Sequence, residues 1–229
     1  DSDIRSVAGA ASYGGKAGFG AAVAISTVDS DTVAELLGDK TDSDDEVVRG
    51  GSGISASATS DNGIVSVAAS LGASNGVSLS GAVTINSITN ETRALADTVT
   101  LKSGGAISLT ASDLSTIESL AGAVGFSLST AGIGVAVAYN DIGNQTRAAL
   151  EDVLVTDPTG ASVASLTLTA SNASTIRSAS VAGGLAKDFG GAGSASTNFT
   201  DGTSTKAEIV DSDVDASAAD VTVSATDTS

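Results

Sequence analysis

The stretch GIGVAVAYNDIGNQTRAAL, residues 132–150, decides how this chain is read. In its first half Ile133, Val135, Val137 and Tyr139 alternate with Gly134, Ala136 and Ala138. A period of two is the mark of an extended strand, whose successive side chains point to opposite faces. Ala favours helix, but Gly and β-branched residues oppose it, so the mixture belongs to the β class. After Tyr139 the next large residue is Ile142, and the parity shifts at Asn140–Asp141. Asn tolerates the left-handed backbone of a bend. The shift therefore predicts a corner at Asn140, with Thr146-Arg147-Ala148 opening the next face.

Nearly the same text stands earlier as NSITNETRAL (86–95), Asn86 matching Asn140, with fainter echoes from Ser26 and Asn198. Four landmarks measure the repetition. An opening Ile recurs as Ile4, Ile64, Ile117 and Ile176. The polar landmark follows it at Ser26, Asn86, Asn140 and Asn198, an interval that is constant except for a single added position in the third unit. An Ala comes next (Ala34, Ala94, Ala148, Ala207), again at a constant interval but for a single added position in the fourth unit. A second Ala closes the unit (Ala58, Ala111, Ala170, Ala225), and the step from it to the next Ile never changes. Only the interval between the two Ala landmarks varies widely: it is longest from Ala34 to Ala58 and shortest from Ala94 to Ala111. That is the behaviour of stacked coils. Residues paired with the coil above and below cannot change in number, while a loop at one corner can.

The chain reads as one all-β parallel β-solenoid over residues 1–229, built from four repeats of about 52–60 residues. The units run 1–59, 60–111, 112–170 and 171–226, with 227–229 opening a fifth. Each makes one broad turn or two narrower ones. Stacking superposes Asn86, Asn140 and Asn198, whose amides can bond up the stack as a ladder. Thr32, Thr92, Thr146 and Thr205 form a second column beside it. Register also accounts for Arg5, Arg93, Arg147, Arg177 and Lys206, half of the ten basic residues. Neither end shows a polar cap, so the chain reads as a slice of a longer fibre.

Composition narrows the function. With four Phe, two Tyr and no Trp or Met, bulky core residues are scarce. The net charge of −17 opposes nucleic acid and anionic membrane as partners. The longest apolar run, AGIGVAVAY (131–139), is too short for a membrane helix. Without His or Cys there is no Ser-His-Asp triad, thiol nucleophile or ordinary zinc site. A carboxylate-only, polysaccharide-active β-helix enzyme needs paired acids in a cleft and aromatic sugar platforms, which this composition does not supply.

Asp39, Asp42, Asp44, Asp45 and Glu46 form the densest acidic cluster and are the candidate Ca²⁺ ligands, since closely spaced oxygens suit that ion. Their spacing fits no helix–loop–helix calcium pattern, and a solvated acidic loop is the preferred reading, with no cofactor required. Asp211, Asp213 and Asp215 are expected to share one face of a strand. The Gly-rich stretches YGGKAGFG (13–20) and FGGAG (189–193) lack the Lys-Ser/Thr of a phosphate loop and are read as sites of close backbone approach.

The run GVAVAYNDIGNQTRAALEDVLV (134–155), followed by SLTLTASNASTIRSASVAGG (165–184), resembles the repeats of very large secreted adhesins of Gram-negative bacteria. These are the filamentous-haemagglutinin-like and leukotoxin-type filamentous adhesins. The resemblance extends over all four units. It implies a right-handed parallel β-solenoid at the bacterial cell surface, serving as a non-enzymatic structural or adhesive shaft. Its partners would be neighbouring repeats and a host or cell-surface receptor or glycan. The alternative is a filament subunit that stacks end to end. The fourth unit departs from the pattern, with GGAGSASTN (190–198) in place of the Val/Ile run and one extra residue after Asn198.

Overall fold

The computed structural model describes residues 1–38, 46–157, 159, 163–216 and 219–229. The chain is a parallel β-solenoid in which each repeat makes one coil of two long strands and one short one. The first sheet stacks β1 (Ser2–Gly14), β4 (Gly53–Ser74), β7 (Ala106–Ser127), β10 (Ser165–Leu185) and β14 (Asp220–Asp227). The second stacks β2 (Ala17–Leu37), β5 (Val77–Asp97) and β8 (Ala131–Glu151), with β11 (Phe189–Phe199) and β12 (Ser204–Val210) both pairing β8. The short third sheet holds β3 (Val47–Gly50), β6 (Thr100–Ser103), β9 (Leu154–Thr156) and β13 (Asp213–Val214).

Every landmark falls into register. Ile4, Ile64, Ile117 and Ile176 pair in sequence, as do Ser26, Asn86, Asn140 and Asn198. The two Ala series follow the same rule. The slack between them, however, sits at two corners and not one. In the first coil the extra residues separate Leu37 from Val47, before the third sheet; in the third coil they separate Thr156 from Ser165, after it. Both corners lie outside the paired ladders, so either can lengthen without disturbing register.

The corner predicted at Asn140 does not exist. β8 runs unbroken from Ala131 to Glu151, and its inward set keeps one parity from Gly132 through Ala148. Read inward, β8 is Gly132, Gly134, Ala136, Ala138, Asn140, Ile142, Asn144, Thr146, Ala148. Ile133, Val135, Val137 and Tyr139 point outward. What changes near Asn140 is the size of the inward residue, not the direction of the chain. Nor does Thr146-Arg147-Ala148 open a new face. The backbone turns later, where Thr98, Asp152 and Asp211 take φ of 55°, 54° and 48° at equivalent positions of three successive coils. The first two of these corners are pinned to the next coil by a backbone bond, Thr98 N to Glu151 O and Asp152 N to Val210 O.

The inward size gradient follows from the taper between the first two sheets. At the turn edge they converge so closely that a Cβ on Gly134 would lie 2.3 Å from the Gly183 carbonyl oxygen. Next comes a layer of Ala, including Ala68, Ala82, Ala121 and Ala136. A layer of one β-branched residue per strand follows: Val28, Ile64, Ile88, Ile117 and Ile142. At the broad edge the third sheet closes a triangular prism filled by Leu101, Ile107, Leu109, Leu150, Val155, Leu166 and Leu168 among others. Only there is the interior wide enough for contiguous large aliphatics. Ala burial contributes little per residue, so the tapered half depends on its coil-to-coil backbone bonds.

Candidate functional site

Two polar layers cross the interior between the apolar ones. In the first, Asn86 Nδ2 donates to Asn140 Oδ1 at 2.7 Å, and Asn140 Nδ2 donates to Asn198 Oδ1 at 2.9 Å. Asn86 and Asn140 are fully buried. The ladder exists because each amide has both a donor and an acceptor, so an identical residue one coil away satisfies it. In the first coil Ser26 stands in this column and instead bonds Ser6 across the interior, at 2.8 Å.

The second layer centres on Asp113, a buried carboxylate. Ser115 Oγ (2.9 Å) and Asn144 Nδ2 (2.5 Å) donate to its Oδ1; Asn90 Nδ2 (3.2 Å) and Thr92 Oγ1 (3.1 Å) donate to Oδ2. Four neutral donors from two sheets thus replace water around the charge. The threonine column is in register, Thr32 with Thr92, Thr146 and Thr205. Its described hydroxyls do not bond one another: Thr92 turns to Asp113, and Thr205 to Asp227 at 3.1 Å. Asp113 was not singled out by sequence reading, although its partner Thr92 was, as part of the threonine column. The signal was present, because Asp113 sits in register with Ser60, Asn172 and Asp227, and Asn90 with Asn144.

Asp39, Asp42, Asp44 and Asp45 lie outside the described residues. Glu46 is exposed, and its carbonyl oxygen accepts the Thr100 amide at 2.9 Å. Among the described residues no group of three or more acidic side chains is arranged to hold a metal ion. Asp211, Asp213 and Asp215 do not share a strand face: Asp211 occupies the left-handed corner, and β13 contains only Asp213 and Val214.

Outside, the two halves of the coil differ. Over the broad half the first sheet presents an array of hydroxyls in three columns: Ser55, Ser108, Thr167, Thr222; Ser57, Thr110, Thr169, Ser224; Thr59, Ser112, Ser171, Thr226. The inward neighbours of these strands are apolar, such as Ile107, Leu109 and Ala111, so the hydroxyls face solvent. Neighbouring hydroxyls in a column are spaced by the strand separation of about 4.8 Å, and neighbouring columns by two residues, about 6.7 Å. The second sheet carries ion pairs that tie coils together. Arg93 reaches Glu35 at 3.3 Å and Glu91 at 3.1 Å, while Arg147 reaches Glu208 at 2.7 Å and also pairs Glu151. Burial lowers the Arg147 pKa, but its bonds to Glu151 and Glu208 outweigh that and leave it raised.

The tapered half is apolar outside. Val7 is 82% exposed, Tyr13 72% and Phe19 65%, and all six aromatic residues are outward. Tyr139 and Phe199 meet there with ring centroids 5.5 Å apart. A groove of about 210 Å³ lined by Asp3, Arg5, Asp61 and Glu118 has no aromatic residue in its wall. Neither a family model, nor a curated protein, nor a solved structure matches the chain.

Proposed function

We propose that the chain is a structural and adhesive shaft segment of an extracellular bacterial surface protein, and that it has no enzymatic role. The observation that carries this reading is the coil-on-coil register, which holds through four coils with one residue inserted between β11 and β12. Each described coil bonds its neighbour through parallel ladders, and its buried columns are written for continuation along the axis. Such an object resists extension and proteolysis along its length, while its outer columns repeat a surface many times. The likeness of residues 134–155 and 165–184 to filamentous adhesin repeats supports the same reading. So does the net charge of −17, which opposes self-aggregation outside the cell.

The adhesive part falls to the hydroxyl array of the first sheet. It is ordered, uncharged and made of groups that both donate and accept, which suits a hydroxyl-rich partner such as a glycan. Beads coated with the purified chain are expected to bind glycan-bearing cell surfaces, and Thr110→Glu with Thr169→Glu is expected to abolish binding without unfolding. Absence of binding by the unaltered chain removes the adhesive role. The shaft role has its own check: limited proteolysis is expected to leave β5 and β8 whole, and early cleavage inside either strand would remove it. Release of reducing ends from polysaccharide by the chain would restore the enzymatic alternative.

A further inference from the structure

At the tapered edge a turn of two residues, Asn75–Gly76, joins β4 to β5. Every other asparagine of the chain stands in an inward column of the first or second sheet, whereas Asn75 is exposed. The glycine after it is required by packing. A Cβ on Gly76 would lie 2.3 Å from the Lys16 carbonyl oxygen of the preceding coil. Close approach of the coils thus sets Asn75 before glycine, the residue whose amide nitrogen is least shielded.

The bonds at this turn are selective. Tyr13 donates its hydroxyl to Asn75 Oδ1 at 3.3 Å, and the Ser129 hydroxyl donates to the Asn75 main-chain oxygen. Among the described residues, Asn75 Nδ2 and the Gly76 N–H have no hydrogen-bond partner. The first donor polarises the side-chain carbonyl; the second draws electrons from the peptide and makes the Gly76 N–H more acidic. We propose that Asn75–Gly76 is a self-modification site, at which the folded chain deamidates without an enzyme. The Gly76 nitrogen gives its proton to solvent base and attacks Asn75 Cγ, closing a succinimide ring. The reaction is intramolecular, so no catalyst has to bring the partners together. The Cγ–Nδ2 bond breaks, and the nitrogen takes up a proton and leaves as ammonia. Water then opens the ring at either carbonyl, giving aspartate or, with the main chain routed through the side chain, isoaspartate. Nothing is oxidised or reduced.

The fold accommodates both products. Isoaspartate lengthens the main chain of the turn by a single atom. The third coil already closes the same edge with three residues, 128–130, in place of two. Ser74 still pairs with Ser127 there, and Val77 with Ala131, so a longer link leaves both ladders in register. Either product adds a negative charge to an edge whose other charged residues are Lys16, Lys187 and Asp188. The chain also holds its own control. Asn62–Gly63 is the same dipeptide, but Asn62 is buried within β4 and its Nδ2 donates to Ser60 at 2.8 Å and Ser30 at 3.1 Å. There the strand must open before a ring can close. The inference does not depend on the shaft or adhesive role.

Incubation of the full chain at neutral pH and physiological temperature, followed by fragmentation mass spectrometry of its peptides, tests it. Acid is expected to accumulate at position 75 at least about tenfold faster than at position 62, the effect of an opening of only about 1.4 kcal/mol in β4. In concentrated urea the two sites are expected to convert at similar rates. Conversion of Asn75 is expected to rise with pH, because the attacking nitrogen is the deprotonated amide. Tyr13→Phe and Ser129→Ala are each expected to slow it in the folded chain and to leave the rate in urea unchanged; circular dichroism checks that both variants fold. Asn75→Gln is expected to keep the incubated chain a single species in isoelectric focusing. An intact Asn75 in the folded chain, over a time in which the urea-unfolded chain converts, overturns the proposal. So does equal conversion of Asn62 and Asn75 in the folded chain, or a folded-state rate that neither donor variant changes.

Discussion

Asn140 shows what a single residue does in this architecture. Its amide accepts from the coil before and donates to the coil after, with no solvent to replace either partner. Asn140→Ala strands the Asn86 amide in the interior, and urea unfolding is expected to show a loss of about 1–3 kcal/mol. Asp113→Asn is expected to cost at least as much, because an amide presents hydrogens where four donors converge, and it removes the charge they solvate. Asp227 adds a pH dependence. Burial raises its pKa, but hydrogen bonds from Ser229, Asn172 and Thr205 prevail and hold it below the usual carboxylate value. A carboxyl lowered by folding contributes stability at neutral pH and loses it as the pH falls. Asp227→Asn is therefore expected to flatten the acid limb of melting temperature against pH, scanned from about 6 to about 3. An unchanged acid limb would show that the carboxyl is not coupled to folding.

At the scale of the strand, the taper sets which substitutions are tolerated. On β8 an alanine at Gly134 would drive its Cβ into carbonyl oxygens of both the third and fourth coils, Ala123 and Gly183. These are backbone atoms held by ladders on either side, so the sheets must part. Gly134→Ala is expected to destabilise by about 1–3 kcal/mol, although alanine is the smallest possible addition. The corner between the second and third sheets behaves oppositely. Thr98, a β-branched residue, holds a left-handed conformation that glycine adopts freely. Thr98→Gly is expected to stabilise by about 0.5–1 kcal/mol despite losing its 2.7 Å bond to Asp97, and thermal melting measures the sign.

The whole molecule is wider than it is tall. A strand of 21 residues such as β5 spans about 70 Å, while four coils rise only about 19 Å. A shaft made of such coils is a ribbon in cross-section, with one charged flank and one apolar flank. Of the charged residues, only Lys16, Lys187 and Asp188 sit at the turns of the tapered edge, so self-repulsion concentrates in the broad half. Raising salt from about 10 mM to about 150 mM is expected to raise the melting temperature, because screening relieves that repulsion. An unchanged or lower melting temperature would mean that the ion-pair columns of Arg93 and Arg147 outweigh it.

By itself the sequence determined the repeat and its register. Residues that must meet a counterpart in the next coil cannot change in number, so Ile64 with Ile117 and Asn86 with Asn140 are legible as matched intervals. The ladder of Asn86, Asn140 and Asn198 follows directly from that alignment, since identical amides satisfy one another. Which of two alternating sets faces inward was decided only by the tertiary structure. The first two sheets approach too closely for Val135 or Val137 to enter, so Ala136 and Ala138 take the interior and the large residues are turned to solvent. Ile142 goes inside only where the sheets have separated enough to receive it. The parity shift that reads as a corner is that widening, and inter-sheet distance is a property of the packed coil and of no single segment.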